Sequence, residues 1–162
     1  MTFRTWGGDD VAFLWDTLYE SLHVKDGAEP FPRSVLADPG IARYLADFGA
    51  TTGDDAQICV GATGSLGSGQ RGAAGCRWPD PGCGYVDDDT PELGMAVVAE
   101  WRGKGIGRRL LEDLLARNPS MSLSVDDENE GATALYRSIG FVPVGVVEQS
   151  TTMVRRLGLR RP

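Results

Sequence analysis

Glu92-Leu93-Gly94-Met95-Ala96-Val97-Val98 is an apolar run, and Ala99-Glu100-Trp101 leads from it into Arg102-Gly103-Lys104-Gly105-Ile106-Gly107-Arg108-Arg109. The first seven residues read as a strand, Glu92 to Val98. From Ile106 onward Leu110, Leu111, Leu114 and Leu115 recur at helical spacing, until Asn118-Pro119 stops the helix. Arg117 falls in its last turn, where the helix dipole favours a cation. Gly103, Gly105 and Gly107 join the two elements. They remove side chains where a ligand needs close backbone approach, and they permit positive φ. The unpaired N–H groups of the helix's first turn point outward with the positive end of the dipole, so this junction suits a phosphate or pyrophosphate. Arg102, Lys104, Arg108 and Arg109 add positive charge to it, although the same residues also suit a plain turn with solvated cations.

Working outward, Met121 to Val125 is the next strand. Asp126 or Asp127 can cap a helix whose apolar face is Ala132, Leu135, Tyr136 and Ile139, with Gly140 as its left-handed terminator. Phe141 to Val147 and Thr151 to Leu157 supply two closing strands. Upstream, Thr2 to Trp6 alternates as a short strand. Asp9-Asp10 then precede an amphipathic helix carrying Val11, Leu14, Trp15, Leu18 and Leu22. After Pro30 and Pro32 a second helical stretch holds Val35 and Leu36, breaks at Asp38-Pro39-Gly40, and resumes with Ile41, Tyr44, Leu45 and Phe48. Asp55 to Thr63 and Ala73 to Trp78 read as a hairpin across the Gly/Ser-rich segment from Gly61 to Gly72. The order β-α-α-β-β-β-α-β-α-β-β is that of a mixed α/β, or α+β, single domain over residues 1–162, built on one twisted sheet.

Composition narrows the function classes. In 162 residues, 41% are hydrophobic and 24% charged, as in a globular protein. Sixteen basic against twenty-three acidic side chains give a net charge of −7. That balance argues against nucleic acid and anionic membranes as partners, because such binding works by neutralising phosphates. No apolar run reaches the roughly 20 residues of a membrane span, and the N-terminus lacks the pattern of a secretory signal. The expected location is cytoplasmic, with Cys59, Cys76 and Cys83 as free thiols. One histidine, His23, in a predicted helix and three scattered cysteines lack the spacings of a zinc site, so no metal is expected.

The glycine loop is not a P-loop, because Arg108-Arg109 follows where a Lys and a hydroxyl are needed. A dinucleotide fingerprint is a weaker fit. Its glycines are spaced G-x-G-x-x-G directly after the strand, whereas here four residues intervene and the spacing is G-x-G-x-G. Asp126 does mimic the acid that such a fingerprint needs. Arg102-x-x-Gly105-x-Gly107, by contrast, resembles the acetyl-CoA pyrophosphate loop of the GNAT superfamily of N-acetyltransferases. Asn129-x-x-Ala132-x-x-Leu135-Tyr136-x-x-x-Gly140-Phe141 is similar to that superfamily's later motif. The two stand in the family's order with a strand between them. The resemblance is specific over Pro91 to Val146 and extends through element order to most of the chain.

The resemblance implies a mostly antiparallel twisted sheet with a central splay, flanked by about four helices. The splay would lie between Glu92–Val98 and Met121–Val125 and admit the pantetheine arm. Acetyl-CoA, as co-substrate, would be held by Val97, Val98, Arg102, Gly103, Lys104, Gly105, Ile106, Gly107, Arg108 and Asn129. Backbone N–H groups near Val97 and Val98 would polarise the thioester carbonyl, an effect of roughly 3 kcal/mol per donor. Strand alternation puts Glu92 on the face of the small residues Gly94 and Ala96. The family uses a glutamate at this place as general base, often through water, and a tyrosine at the place of Tyr136 as general acid. Glu92 reads equally as a solvated strand end, Tyr136 as core packing, and Asn129 as a helix cap. With His23 alone, no Ser-His-Asp or Cys-His set is available, so direct attack of an amine is expected rather than an acyl-cysteine.

For the acceptor, the segment Pro79 to Pro91 carries Asp80, Asp87, Asp88, Asp89 and Glu92, with Trp78 and Tyr85 able to stack on a cation. A cationic amine fits: a polyamine-like compound, an aminoglycoside, a lysine side chain or an N-terminus. A solvated acidic loop fits as well. Arg155-Arg156 and Arg160-Arg161 read as a frayed basic tail. Homodimers are common in the superfamily, and no interface is visible in the sequence. The rival functions are a non-catalytic acyl-CoA-binding module and a dinucleotide-binding protein.

Overall fold

The computed structural model describes residues 2–5, 7, 10–25, 27–45, 55–60, 74–76, 83–98, 101–118 and 120–156. In chain order its elements are β1 (Thr2–Thr5), α1 (Val11–Ser21), a 3-10 turn (Arg33–Ala37), α2 (Pro39–Ala42), β2 (Asp55–Val60), β3 (Ala74–Cys76), β4 (Glu92–Gly94), α3 (Ile106–Arg117), β5 (Met121–Asp126), α4 (Glu130–Ile139), β6 (Val142–Val147) and β7 (Ser150–Arg155). The expected order of strands and helices is reproduced. The strands form one sheet in the order β1-β2-β3-β4-β5-β7-β6. All neighbours are antiparallel except β4 and β5, which are parallel.

That parallel junction is where the sheet parts. β4 meets β5 in a single register pair, Glu92 with Ser122. The strand expected to reach Val98 ends at Gly94, and Met95 to Val98 leave the sheet. The sequence does not show this, because Met95-Ala96-Val97-Val98 has strand-like composition, whereas among the described residues β5 pairs with β4 only at Glu92 and β3 pairs with it as far as Gly94.

The strand pattern Met121-Ser122-Leu123-Ser124-Val125 gives the sheet two unlike faces. Met121, Leu123, Val125, Leu93 and Met153 pack beneath α3 and α4 with Ile106, Leu110, Leu111, Leu114, Leu115, Tyr136 and Phe141. Burying this set supplies most of the apolar stabilisation, at roughly 25 cal/mol per Å². On the other face lie Glu92, Ser122 and Thr152, buried but polar. A smaller cluster of Leu14 and Leu45, with Phe13, Trp15 and Leu18, forms around α1. Edge strand β6 leaves Val142, Val144 and Val146 exposed, and Pro143 with the register irregularity beside it blunts that edge.

Several boundaries differ from expectation for local reasons. β5 runs through Asp126, and the cap of α4 is Asn129, not Asp126 or Asp127. Asp126 Oδ1 accepts from the Glu128 N–H, and Asp127 Oδ1 accepts from Thr151 Oγ, so both carboxylates hold the turn instead. Asp10 precedes α1 without capping it, because its carboxylate takes both Arg4 guanidinium nitrogens at 2.7 Å. The second helical stretch is broken into the 3-10 turn and the one-turn α2 by Asp38-Pro39. His23 lies beyond the end of α1 rather than within a helix. Trp6, Phe48, the segment Gly61 to Gly72, Trp78, Asp80, Arg160 and Arg161 lie outside the described residues. Among the described residues no helix is long and apolar enough to cross a membrane.

Candidate active site

The N-terminus of α3 is one part of the candidate site. Gly103 and Gly105 have φ of +70° and +77°, and a Cβ at either would meet nothing within 4 Å. Gly105 is the N-cap in the left-handed region, with no side-chain cap and no acidic residue in the first turn. No side chain caps the first-turn N–H groups of this twelve-residue helix, an arrangement chemically suited to an anion. Gly107 serves a different purpose from the one expected. Its φ is not positive, and a Cβ there would lie 3.4 Å from Leu135 Cδ2 and Met95 Cε, so it lets α3 approach α4 and the 95–98 segment.

The basic residues of the loop are partly committed within the protein. Arg102 Nε donates to the Val97 carbonyl at 2.8 Å, tying the loop to the segment that leaves the sheet. Lys104 Nζ lies 5.9 Å from the centroid of the Trp101 ring. Arg108 donates to Ser138 Oγ at 2.7 Å and stands 3.8 Å from Glu112, which directs it toward α4. Arg102 through Gly105 are exposed, Ile106 is buried in the core, and Val97 and Val98 are half-buried. Asn129 Oδ1 accepts from the Ala132 N–H at 3.1 Å and caps α4.

Tyr136 sits on the buried face of α4, packed edge-on against Phe141 with ring centroids 5.8 Å apart. Burial pushes its hydroxyl up to about 12. Such a hydroxyl keeps its proton throughout the neutral range, and its raised value makes it a weaker acid than an ordinary tyrosine. The residue belongs to the core cluster.

Glu92 is not a solvated strand end: it is only 7% exposed. Its Oε1 accepts from the Gly84 N–H at 2.9 Å, while Oε2 is buried without a partner. Burial raises its pKa above the ordinary carboxylate range, outweighing the Gly84 hydrogen bond and the charge of Arg43, which both act to lower it. Tyr44, raised by burial and next by the Glu92 charge, accepts from the Cys83 N–H at 3.4 Å. Cys83 O in turn accepts from Thr152 Oγ at 3.0 Å. Gly84 is pressed onto β5 so closely that a Cβ would fall 2.6 Å from Leu123 C and 2.7 Å from Ser124 N. Arg43, Tyr44, Cys83, Gly84, Ser122 and Thr152 were not singled out from the sequence as partners of Glu92. The alternation in β5 was a signal for Ser122, but no local pattern announces the others.

In the acidic segment, which the sequence reads as a place for a cationic amine or as a solvated loop, some carboxylates have partners within the protein. Asp87 pairs with Arg156, and its carboxyl is held below the ordinary range, first by Thr90. The Tyr85 hydroxyl donates to Asp88 at 2.8 Å. Arg156 is thus tied to the segment before β4 rather than frayed, and Arg155 ends β7 with its Nη1 buried. The fold also gathers three groups with metal-ligating atoms, His23, Asp126 and Glu128, within 4.8 Å of one another. Lys25 Nζ already lies 2.6 Å from Glu128 and supplies positive charge there.

Comparison with known proteins bears on the family and the fold. The family model described as an acetyltransferase (GNAT) domain matches residues 56–143. The N-alpha-acetyltransferase RimI of Mycobacterium tuberculosis is 52% identical over 54 residues, which are 32% of this chain and 34% of that protein. The peptidyl-lysine N-acetyltransferase YjaB of Escherichia coli is 33% identical over 51 residues, 32% of this chain and 35% of that protein. These matches span about a third of each curated relative. In overall fold the chain is similar to yncA of Salmonella typhimurium, solved with acetyl-CoA, at a TM-score of 0.64 and 22% identity, covering 100% of this chain and 96% of that one. It is likewise similar to a phosphinothricin acetyltransferase of Sinorhizobium meliloti, solved with acetyl-CoA, at a TM-score of 0.65 and 20% identity, covering 97% and 88%. With the family model matching more than half of its length, from the hairpin through α4, this chain belongs to the GNAT acetyltransferase family.

Proposed function

We propose that the protein is an acetyl-CoA-dependent N-acetyltransferase that acts by direct attack of a primary amine. The observation that carries this reading is a buried, partly unpartnered carboxylate, Glu92, where β4 parts from β5, in a chain whose next helix, α3, opens on a glycine loop with no side-chain cap. The donor end fits the co-substrate, because the Gly103–Gly105 cradle is free of side chains and a Cβ there would meet open space. Acetyl-CoA supplies the activated acyl group as a thioester.

The residues then divide the work. The first-turn N–H groups of α3 hold the pyrophosphate, with Arg102 and Lys104 adding charge. Val97 and Val98, outside the ladder, offer backbone N–H groups to the pantetheine and the thioester carbonyl. Glu92 takes the amine proton, and its raised pKa brings it nearer to what a base needs at neutral pH. Tyr136 donates toward the departing sulfur. Asn129 serves first as the α4 cap, which fixes that helix against the donor groove. RimI and YjaB are named for a protein α-amine and a lysine amine, which supports peptide amines as the first acceptors to try.

Melting temperature with and without acetyl-CoA, beside NADH and ATP, tests the donor. Ligand at about 100 times Kd adds roughly 2.7 kcal/mol, a rise of about 5–11 °C for a chain of this size. A rise with acetyl-CoA alone is expected. A rise with NADH and none with acetyl-CoA would overturn the donor assignment and restore the dinucleotide reading.

A further inference from the structure

The chain's one histidine meets two carboxylates drawn from a distant part of the sequence. His23 follows α1, Asp126 ends β5, and Glu128 stands in the turn before α4. One ligand atom from each lies within 4.8 Å of the other two, with His23 and Asp126 half-buried and Glu128 exposed. Among the described residues no hydrogen bond or ion pair joins the imidazole to either carboxylate, so bonds among the three do not explain why they converge. Donors held at about 2.1 Å from one ion stand roughly 3–4 Å apart, and the exposed Glu128 side chain has room to close the remaining gap. We propose that His23, Asp126 and Glu128 form a binding site for a divalent transition-metal ion, Zn²⁺ by its donor set, which displaces Lys25 from Glu128 and clamps the segment after α1 to the β5–α4 turn.

The surroundings are arranged about these three groups. Asp126 Oδ1 accepts from the Glu128 N–H at 2.8 Å, which fixes the two acidic residues relative to one another. Asp127 is turned away, its carboxylate on Thr151 Oγ. The Lys25 ammonium stands 2.6 Å from Glu128 Oε1, so the cluster already holds a cation. Both side chains of that pair are more than half exposed, and the lysine can swing into water. Two carboxylates then balance a divalent charge. The imidazole nitrogen favours a transition ion over Mg²⁺ or Ca²⁺, whose shells are built from oxygen. Three protein ligands leave a fourth position to water. Glu128 directly precedes Asn129, the cap of α4, so the ion orders the start of that helix. No local spacing announces the site, because the ion pair that it replaces spans 103 residues of chain. The site does not depend on Glu92 or on acyl transfer.

The test titrates Zn²⁺ into the full chain, free of any affinity tag and kept reduced, while NMR follows the imidazole signals. With one histidine in the chain those signals belong to His23 alone, and an ion taken up by cysteine thiols leaves them in place. A saturable change at one ion per chain is expected, together with a rise in melting temperature that His23→Gln abolishes. Asp126→Asn and Glu128→Gln should each weaken the affinity by at least about tenfold, the loss that even an outer partner of a metal ligand costs. Lys25→Met should strengthen it by roughly two- to fivefold, the worth of an exposed ion pair. No change in the imidazole signals would overturn the proposal. So would a midpoint that neither carboxylate variant moves, which would mean a lone imidazole holding an adventitious ion only. Should a carboxylate variant melt far below the unaltered protein without metal, Lys25→Met decides the matter, and an affinity that it fails to raise would overturn the site.

Discussion

The two ends of the site are built in opposite ways. At the donor end, contiguous chain does nearly everything: Val97 to Arg108 supplies the segment leaving the sheet, the glycine cradle, the cations and the helix N-terminus. At the polar face of the sheet, one strand residue, Glu92, is met by the 43–44 turn, the 83–84 segment and Ser122 of β5, and the Cys83 carbonyl accepts from Thr152 of β7. The first arrangement depends on backbone N–H groups and on the absence of side chains. The second depends on burial and a close fit between distant segments. A pyrophosphate needs a fixed cluster of N–H donors, which local chain geometry provides. A base with a raised pKa needs desolvation, which only a packed tertiary environment provides.

Substitutions at the two ends should therefore fail differently. The largest effect is expected at the donor end. Gly105→Asp places a negative side chain at a position that now opens onto nothing, and acetyl-CoA affinity measured by calorimetry should fall by more than about a hundredfold. Gly105→Asn keeps the same left-handed demand without the charge, so it should lose far less. Equal losses would mean that backbone strain, not charge at an anion site, explains the result.

Next in size is Glu92→Gln. Turnover should drop by about 10²–10³, while the calorimetric affinity for acetyl-CoA stays near that of the unaltered protein. Intact turnover would leave the protein as an acyl-CoA binder whose base lies elsewhere, or as one that needs none. The same variant sharpens the contrast through stability. Burial raises the folded-state pKa of Glu92, so the folded protein holds this proton more tightly than the unfolded chain. The group's contribution is then fully present below the ordinary carboxylate pKa and is lost as pH rises through the raised value. Glu92→Gln should melt higher than the unaltered protein at pH 8, with the advantage fading toward pH 4. A pH-independent difference would show that the carboxylate is solvated.

The smallest effect is expected from Gly84→Ala. Its methyl would fall within 2.6–2.8 Å of β5 backbone and Glu92 Oε1, so the segment must lift. A stability loss of about 1–3 kcal/mol should accompany a drop in turnover, with acetyl-CoA affinity unchanged. If affinity for acetyl-CoA fell in step with turnover, the two ends would be coupled rather than separately built.

The sequence made the order of elements legible because each relies on near neighbours. The leucines of α3 repeat at helical spacing, Gly140 ends α4 in the left-handed region at φ +99°, and β5 alternates. The glycine loop was legible for the same reason. Less legible was the division of labour within it: Gly103 and Gly105 make the cradle, whereas Gly107 faces Leu135 and Met95, a role set by residues far away in the chain. Asn129 was read both as a cofactor contact and as a cap. The hydrogen bond to the Ala132 N–H shows the cap, because three residues of helix suffice to form it.

What the sequence by itself determined is the set of elements, their order and the glycine-opened, uncapped start of α3, all products of period, capping and backbone freedom within a few residues. Only the tertiary structure decided where β4 ends, because a strand persists only while a neighbour completes its ladder, and the described pairing of β4 stops at Glu92 on the β5 side and at Gly94 on the β3 side. Only the tertiary structure, too, turned Glu92 from a charged strand end into a buried carboxylate with one oxygen on the Gly84 N–H and the other beside the Ser122 strand position. Desolvation is a property of everything that surrounds a group, and the segments that surround this one are distant in the chain.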